Sequence, residues 1–244
     1  MSHHSLPVSS PTGTPIADRT VGELVAERPG RSRVFQSFQM DFCCQGGKTL
    51  REACEKKGLP VEVLVEQLES EAVLSGVPAF NAAELPPQEL SAYIEDKHHG
   101  FLRRELPRLQ AMAQRVAHVH GGHTPSLIEL NGVFTAMSEE LQSYIMKEEQ
   151  ILFPAIAALS RGEAVSLPLE GPIACMLREH DDAGLALARL HELTRGFTPP
   201  AEACNTYRAL FAGLSDLEAD LHRHIHLENH VLFPQAELLA GLAR

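Results

Sequence analysis

YIMKEEQILFP at 144–154 and HIHLENHVLFP at 224–234 are two copies of one frame, Y/H-I-x-x-E-x-x-I/V-L-F-P, set 80 residues apart. The frame puts a ring residue four positions before a glutamate. On a helix, Tyr144 and Glu148 therefore share one face, as do His224 and Glu228, with β-carbons about 5–6 Å apart. Working outward, His99 precedes Tyr144 by 45 residues and His180 precedes His224 by 44. Each half thus supplies one helix bearing a histidine and one bearing a ring-x-x-x-Glu pair.

The surrounding pattern predicts four long helices at roughly 88–119, 125–160, 172–195 and 200–239, joined by GGHTP, RGEAVSLPLEGP and RGFTPP. Short connections favour antiparallel neighbours, so the expected fold is an all-α antiparallel four-helix bundle. Pro107, Pro154 and Pro234 fall inside these helices and should bend or locally break them. Upstream, TVGELVAER, RSRVFQSFQ, TLREACEKKG and VEVLVEQLE read as short helices around an FCCQGG turn. The predicted organisation is a disordered lead-in over 1–18, a small helical cysteine-bearing domain over 19–72, a linker over 73–87 and the bundle over 88–240.

Four such helices would gather His99, Tyr144, Glu148, His180, His224 and Glu228 around the bundle axis, where two glutamates can bridge two metal ions. Mixed imidazole and carboxylate donors suit iron or manganese better than structural zinc, and iron is the first choice. A shared packing face would explain ILFP and VLFP. It would leave two buried glutamates without partners, an expensive state.

Bulk properties exclude other classes. The 244 residues carry 21 basic and 32 acidic side chains, a formal charge of −11, and no basic run that would track a phosphate backbone; nucleic acid is not an expected partner. No apolar stretch approaches the roughly 18 residues of a membrane span, and the N-terminus lacks signal-peptide blocks, so a soluble cytoplasmic protein is expected. Five cysteines, with Cys43 adjacent to Cys44, point to reduced thiols. Helix-end amides beyond Gly46 and Gly47 could lower a thiol pKa in that pair. Cys54, Cys175 and Cys204 lie in helical patterns and read as inert core. His118, His120, His123, His222, His226 and His230 read as surface or supporting groups.

TVGEL at 20, MDFCCQGGKTL at 40, HHGFLRRELP at 98, MKEEQILFP at 146, EHDDAG at 179 and HIHLENHVLFP at 224 together resemble the iron-sulfur cluster repair di-iron proteins (the RIC, YtfE and ScdA group). That family joins a small cysteine-bearing domain to a hemerythrin-like domain. The resemblance implies that His99, rather than His98, binds iron with His180 and His224, that Glu148 and Glu228 bridge the two ions, and that Cys43 and Cys44 assist by handling iron or by redox chemistry. Tyr144 departs from the pattern, standing where the family has a fourth histidine. A ferric phenolate ligand, an iron left open to water or gas, and a packed tyrosine with a bonded hydroxyl all fit. The implied function is repair of clusters damaged by nitrosative or oxidative stress. Alternatives are a nitric oxide or oxygen buffer or sensor, and nitric oxide reduction at the two irons. Damaged iron-sulfur proteins are the implied partners, and a homodimer is left open.

Overall fold

The computed structural model describes residues 14–74, 80–165 and 168–242, and its regular structure is helical, with a lone β-bridge between Thr20 and Thr49. Four short helices come first: α1 (Val21–Glu27), α2 (Arg31–Ser37), α3 (Leu50–Lys57) and α4 (Val61–Leu74). Thr20 with Glu23 and Thr49 with Glu52 are capping boxes, each threonine accepting from the glutamate amide while the glutamate side chain accepts from the threonine amide. Gly58 ends α3 in the left-handed conformation, φ 66°. The expected disordered lead-in falls partly outside the described residues, in 1–13. Its end is ordered, because Ile16–Asp18 form a 3-10 turn whose Asp18 accepts from Arg51. Of the expected linker, 75–79 lie outside the described residues; beyond them Asn81 donates to the Ala26 carbonyl at 2.8 Å, and Phe80 packs on Tyr93 with ring centroids 5.5 Å apart.

The bundle follows. α5 (Pro87–Ile94), a π turn (Glu95–His99) and α6 (Gly100–His120) make its first arm; α7 (Ser126–Lys147), a π turn (Glu148–Leu152) and α8 (Phe153–Ser160) make its second. α9 (Glu170–Leu193) is the third, and α10 (Asn205–Leu227), a π turn (Glu228–Leu232) and α11 (Phe233–Leu242) the fourth. The sequence dictates this packing through stripes spaced alternately three and four residues. Leu102, Leu106, Leu109, Ala113 and Val116 line α6, and Leu210, Leu214, Leu217 and Leu221 line α10, all buried. α6 packs on both α7 and α10, and α7 on α9.

The prolines act differently from one another. Pro154 and Pro234 lack the amide that would bond one turn back, and each follows a π turn that absorbs the mismatch. Pro107 sits within α6, which continues without a break from Gly100 to His120. The expected interruption is therefore absent there.

The first four helices pack against the bundle along its third and fourth arms, where α1 meets the Glu228–Leu232 turn and Gln39 reaches His191, and buried apolar residues from Val21 to Ala236 form one cluster. His230 is the peg of this contact. It donates to the Cys43 carbonyl at 2.6 Å, and a β-carbon built on Gly22 or Gly46 would lie 2.7 or 2.4 Å from its ring nitrogens. Among the described residues no helix is long and apolar enough to cross a membrane.

Candidate metal centre

Partway along the four arms, with buried apolar residues on both sides, each apolar stripe turns polar without changing register. His99 precedes Leu102, His180 stands between Met176 and Ala183, Tyr144 and Glu148 follow Leu141, and His224 and Glu228 follow Leu221. Helical periodicity that buries leucines elsewhere buries ligand-type side chains here: His99, Glu148, His180, His224 and Glu228 have no exposed surface. His99 Nε2 lies 3.2 Å from His224 Nε2 and 3.4 Å from Glu148 Oε2. His180 Nε2 lies 3.2 Å from Glu228 Oε2 and 3.7 Å from Glu148 Oε1, and His224 Nε2 lies 3.1 Å from Glu228 Oε1. One donor atom from each of His99, Glu148, His224 and Glu228 falls within 4.8 Å of every other.

The carboxylates of this cluster stand close to imidazoles without hydrogen bonding. Neither oxygen of Glu148 or Glu228 finds a hydrogen-bond partner among the described residues, and His180 Nε2 and Tyr144 Oη are likewise unpartnered. Two buried carboxylates left this way would cost several kcal/mol each; a cation among them removes that cost. The electrostatics point the same way. Burial pushes His180 down, yet Glu148 and Glu228 outweigh it and hold the imidazole well above its ordinary range; His99 is raised for the same reason. Burial pushes Glu228 up, and the opposing charge of His224 and contact with His180 hold it far below the carboxylate range. The donor set therefore suits a divalent cation of the iron or manganese kind.

The repeated frame has a further structural meaning. The residue after each glutamate orients the histidine of its own half: His99 Nδ1 donates to Glu149 Oε1 at 2.7 Å, and His180 Nδ1 donates to Asn229 Oδ1 at 2.7 Å. The phenylalanine of each LFP stacks on that same histidine, Phe153 on His99 at 5.6 Å and Phe233 on His180 at 5.9 Å. Glu149, Asn229, Phe153 and Phe233 were not identified from sequence, although their 80-residue offset placed them within the repeat. Arg103 pairs with Glu149 from the outside.

Tyr144 is 1% exposed, its ring edge-on to His180 at 5.7 Å, and it walls a cavity of about 190 Å³ with Glu140, Glu179 and Asp182. The ring is packed in the core, and Tyr144 Oη has no hydrogen-bond partner among the described residues. His98 points away from the cluster, 3.1 Å from Asp220, and stacks on His224 at 5.4 Å.

The cysteine turn covers the centre. Asp41 Oδ1 accepts from the amides of Cys43 and Cys44 at 3.0 and 2.9 Å, the two sulfurs lie 3.6 Å apart, and Cys44 Sγ reaches the His180 carbonyl at 3.4 Å. Asn229, which holds His180, also donates to the Cys43 carbonyl at 3.3 Å. The expectation of a lowered thiol fails for Cys43: its hydrogen bond with Cys44, burial and the charge of Asp41 push it well above the ordinary range. Cys204 is not core either; it is exposed at the start of α10, 3.3 Å from His120 Nε2. His222, His226 and His230 form a stripe at four-residue spacing beneath the turn, with His226 and His222 packed against Phe42. That spacing was readable; its partner was not.

Residues 91–236 match the Hemerythrin HHE cation binding domain, and residues 17–72 match ScdA_N, a domain of unknown function. The chain is 40% identical over 219 residues to the iron-sulfur cluster repair protein YtfE of Pectobacterium carotovorum, covering 90% of this chain and 96% of that one. Identity to the Edwardsiella ictaluri YtfE is 41% over 221 residues, covering 90% and 96%, and to that of Escherichia coli O17:K52:H18 it is 39% over 224 residues, covering 92% and 98%.

Proposed function

This chain belongs to the YtfE-type iron-sulfur cluster repair proteins, and on that premise we propose that it carries two iron ions as cargo and supplies iron to iron-sulfur clusters damaged by nitrosative or oxidative stress. His99, His180 and His224 bind the ions and Glu148 and Glu228 bridge them. The observation that carries this reading is the set of four buried glutamate oxygens without hydrogen-bond partners among three buried imidazoles. The geometry makes acceptance and surrender of iron a local matter. Glu149 and Asn229 hold two imidazoles with Nε2 facing inward, and the dry interior strengthens every charge interaction with a cation.

Cys43 and Cys44 sit where departing iron would first meet sulfur, since the Cys44 thiol touches the backbone of ligand-bearing α9. Asp41 adds a carboxylate within ligand reach of both thiols. Thiolates favour ferrous iron bound for a cluster.

The test is to load the purified chain with ferrous iron, count iron per chain, and supply it to a nitric-oxide-inactivated iron-sulfur enzyme. Two ions per chain and recovery that is lost in Cys43→Ala/Cys44→Ala are expected. Tight nitric oxide binding without recovery would instead establish a gas buffer, and nitrous oxide release a reductase.

A further inference from the structure

The two ring-x-x-x-Glu frames share a π turn after the ring residue, and around the ligand-type side chains they differ in two chemical details that fall on the same side of the centre. His99 and His224 approach each other to 3.2 Å through their Nε2 atoms, so one position is served by two imidazoles. The opposite position has His180 with Tyr144 edge-on beside it at 5.7 Å. The second difference lies one shell out. His99 donates to the carboxylate of Glu149, whereas His180 donates to the neutral amide of Asn229. A carboxylate behind an imidazole raises its donor strength more than an amide does, and a neutral phenol is a poor donor to ferrous iron beside an imidazole.

We infer that the two metal positions are unequal: the His99/His224 side retains its ion, and the His180/Tyr144 side is the one that gives iron up. The inference rests on the two-ion reading above and assigns its cargo to one side. Position in the fold agrees with it. The yielding side lies against the cysteine turn, because Cys44 Sγ meets the His180 carbonyl at 3.4 Å and Asn229 bonds both His180 and the Cys43 carbonyl. A thiol pair placed there faces the ion with fewer strong donors. The symmetric arrangement, histidine at 144 and a carboxylate at 229, would hold both ions alike.

The experiment is anaerobic chelator capture from the ferrous-loaded chain, followed by absorbance. Two phases of about one ion each are expected. Tyr144→His should slow the fast phase by about tenfold or more and leave the slow phase in place, and Asn229→Asp should slow the same phase without adding a ligand. Glu149→Gln should instead quicken the slow phase. Two bound ions leaving in a single phase, or a fast phase indifferent to Tyr144→His and Asn229→Asp, would overturn the inequality while leaving the di-iron reading intact. Fewer than two ions in the parent and in every variant would overturn the di-iron reading and the inequality with it. One ion in the parent that becomes two in Tyr144→His would place the weak position at Tyr144, as inferred, and correct the loading.

Discussion

Cys44 Sγ lies 3.4 Å from the carbonyl oxygen of His180, on the helix that carries a metal-type ligand. Both cysteines border a cavity of about 300 Å³ with His191 and His222, but Cys43 is buried and bonded to Asp41 and to Cys44 itself, whereas Cys44 is partly exposed. The pair is therefore divided between an accessible thiol and a sequestered one.

Alkylation should follow that division. The thiolate is the reacting form, and the bond to Cys44, burial and Asp41 all push the Cys43 thiol up. At neutral pH, iodoacetamide should modify Cys44 at least about tenfold faster than Cys43 in the native chain, where the raised Cys43 thiol keeps its contact with Cys44. A mass-spectrometric time course on the native chain reads this directly, and equal rates would mean that the turn opens freely.

The contact between the small helices and the bundle should be sensitive to one methyl group. A β-carbon on Gly46 would lie 2.4 Å from both the Phe42 carbonyl oxygen and His230 Nε2, and the carbonyl is backbone that cannot rotate aside. Overpacking of this kind costs about 1–3 kcal/mol. Gly46→Ala should lower the unfolding midpoint in urea and raise protease cleavage within 14–60. Gly47→Ala, with open space around its position, should do neither.

How much of this was readable in the sequence differs by level. The bundle and the six inward side chains were readable because helical period and 80-residue repeat are one-dimensional signals. The chemistry behind the ligands was not. Glu149 and Asn229 differ in residue type, so a search for identity between the halves passes over them, although both perform the same task. Pro154 and Pro234 gave a correct sign of irregularity, while the π turn that resolves it depends on packing around Glu148 and Glu228. The reading of a lowered thiol at Cys43 failed because nearby amides bond Asp41 and the sulfur faces a second sulfur, a matter of tertiary placement.

Removing the two buried carboxylates should separate stability from metal binding. Glu148 and Glu228 are fully buried without hydrogen-bond partners among the described residues, and once both are gone the imidazoles they hold up release their protons, so no unpaired buried charge is left behind. Glu148→Leu/Glu228→Leu should therefore melt no lower than the metal-free parent. Ferrous iron should raise the parent's melting temperature and leave the variant's unchanged, because only a native state with an intact site gains from the ligand. A variant that still gains on adding iron would move the site elsewhere.

Acid should loosen the chain through His226. Burial beneath the cysteine turn, reinforced by the charge of His230, lowers this imidazole from 6.5 to about 3. Its Nδ1 donates to the Phe42 carbonyl at 3.3 Å, and its Nε2 has no hydrogen-bond partner among the described residues. Between pH 6.5 and about 3 the unfolded chain binds a proton at this position and the folded chain does not. Stability consequently falls as pH drops below 6.5, by about 1.4 kcal/mol per pH unit from this group, and is indifferent to it above. His226→Gln, which keeps a donor for Phe42 and cannot titrate, should lose about 2 kcal/mol less than the parent between pH 7 and pH 5. Denaturant unfolding of both metal-free chains at the two pH values measures the difference, and parallel losses would place the acid sensitivity in another group.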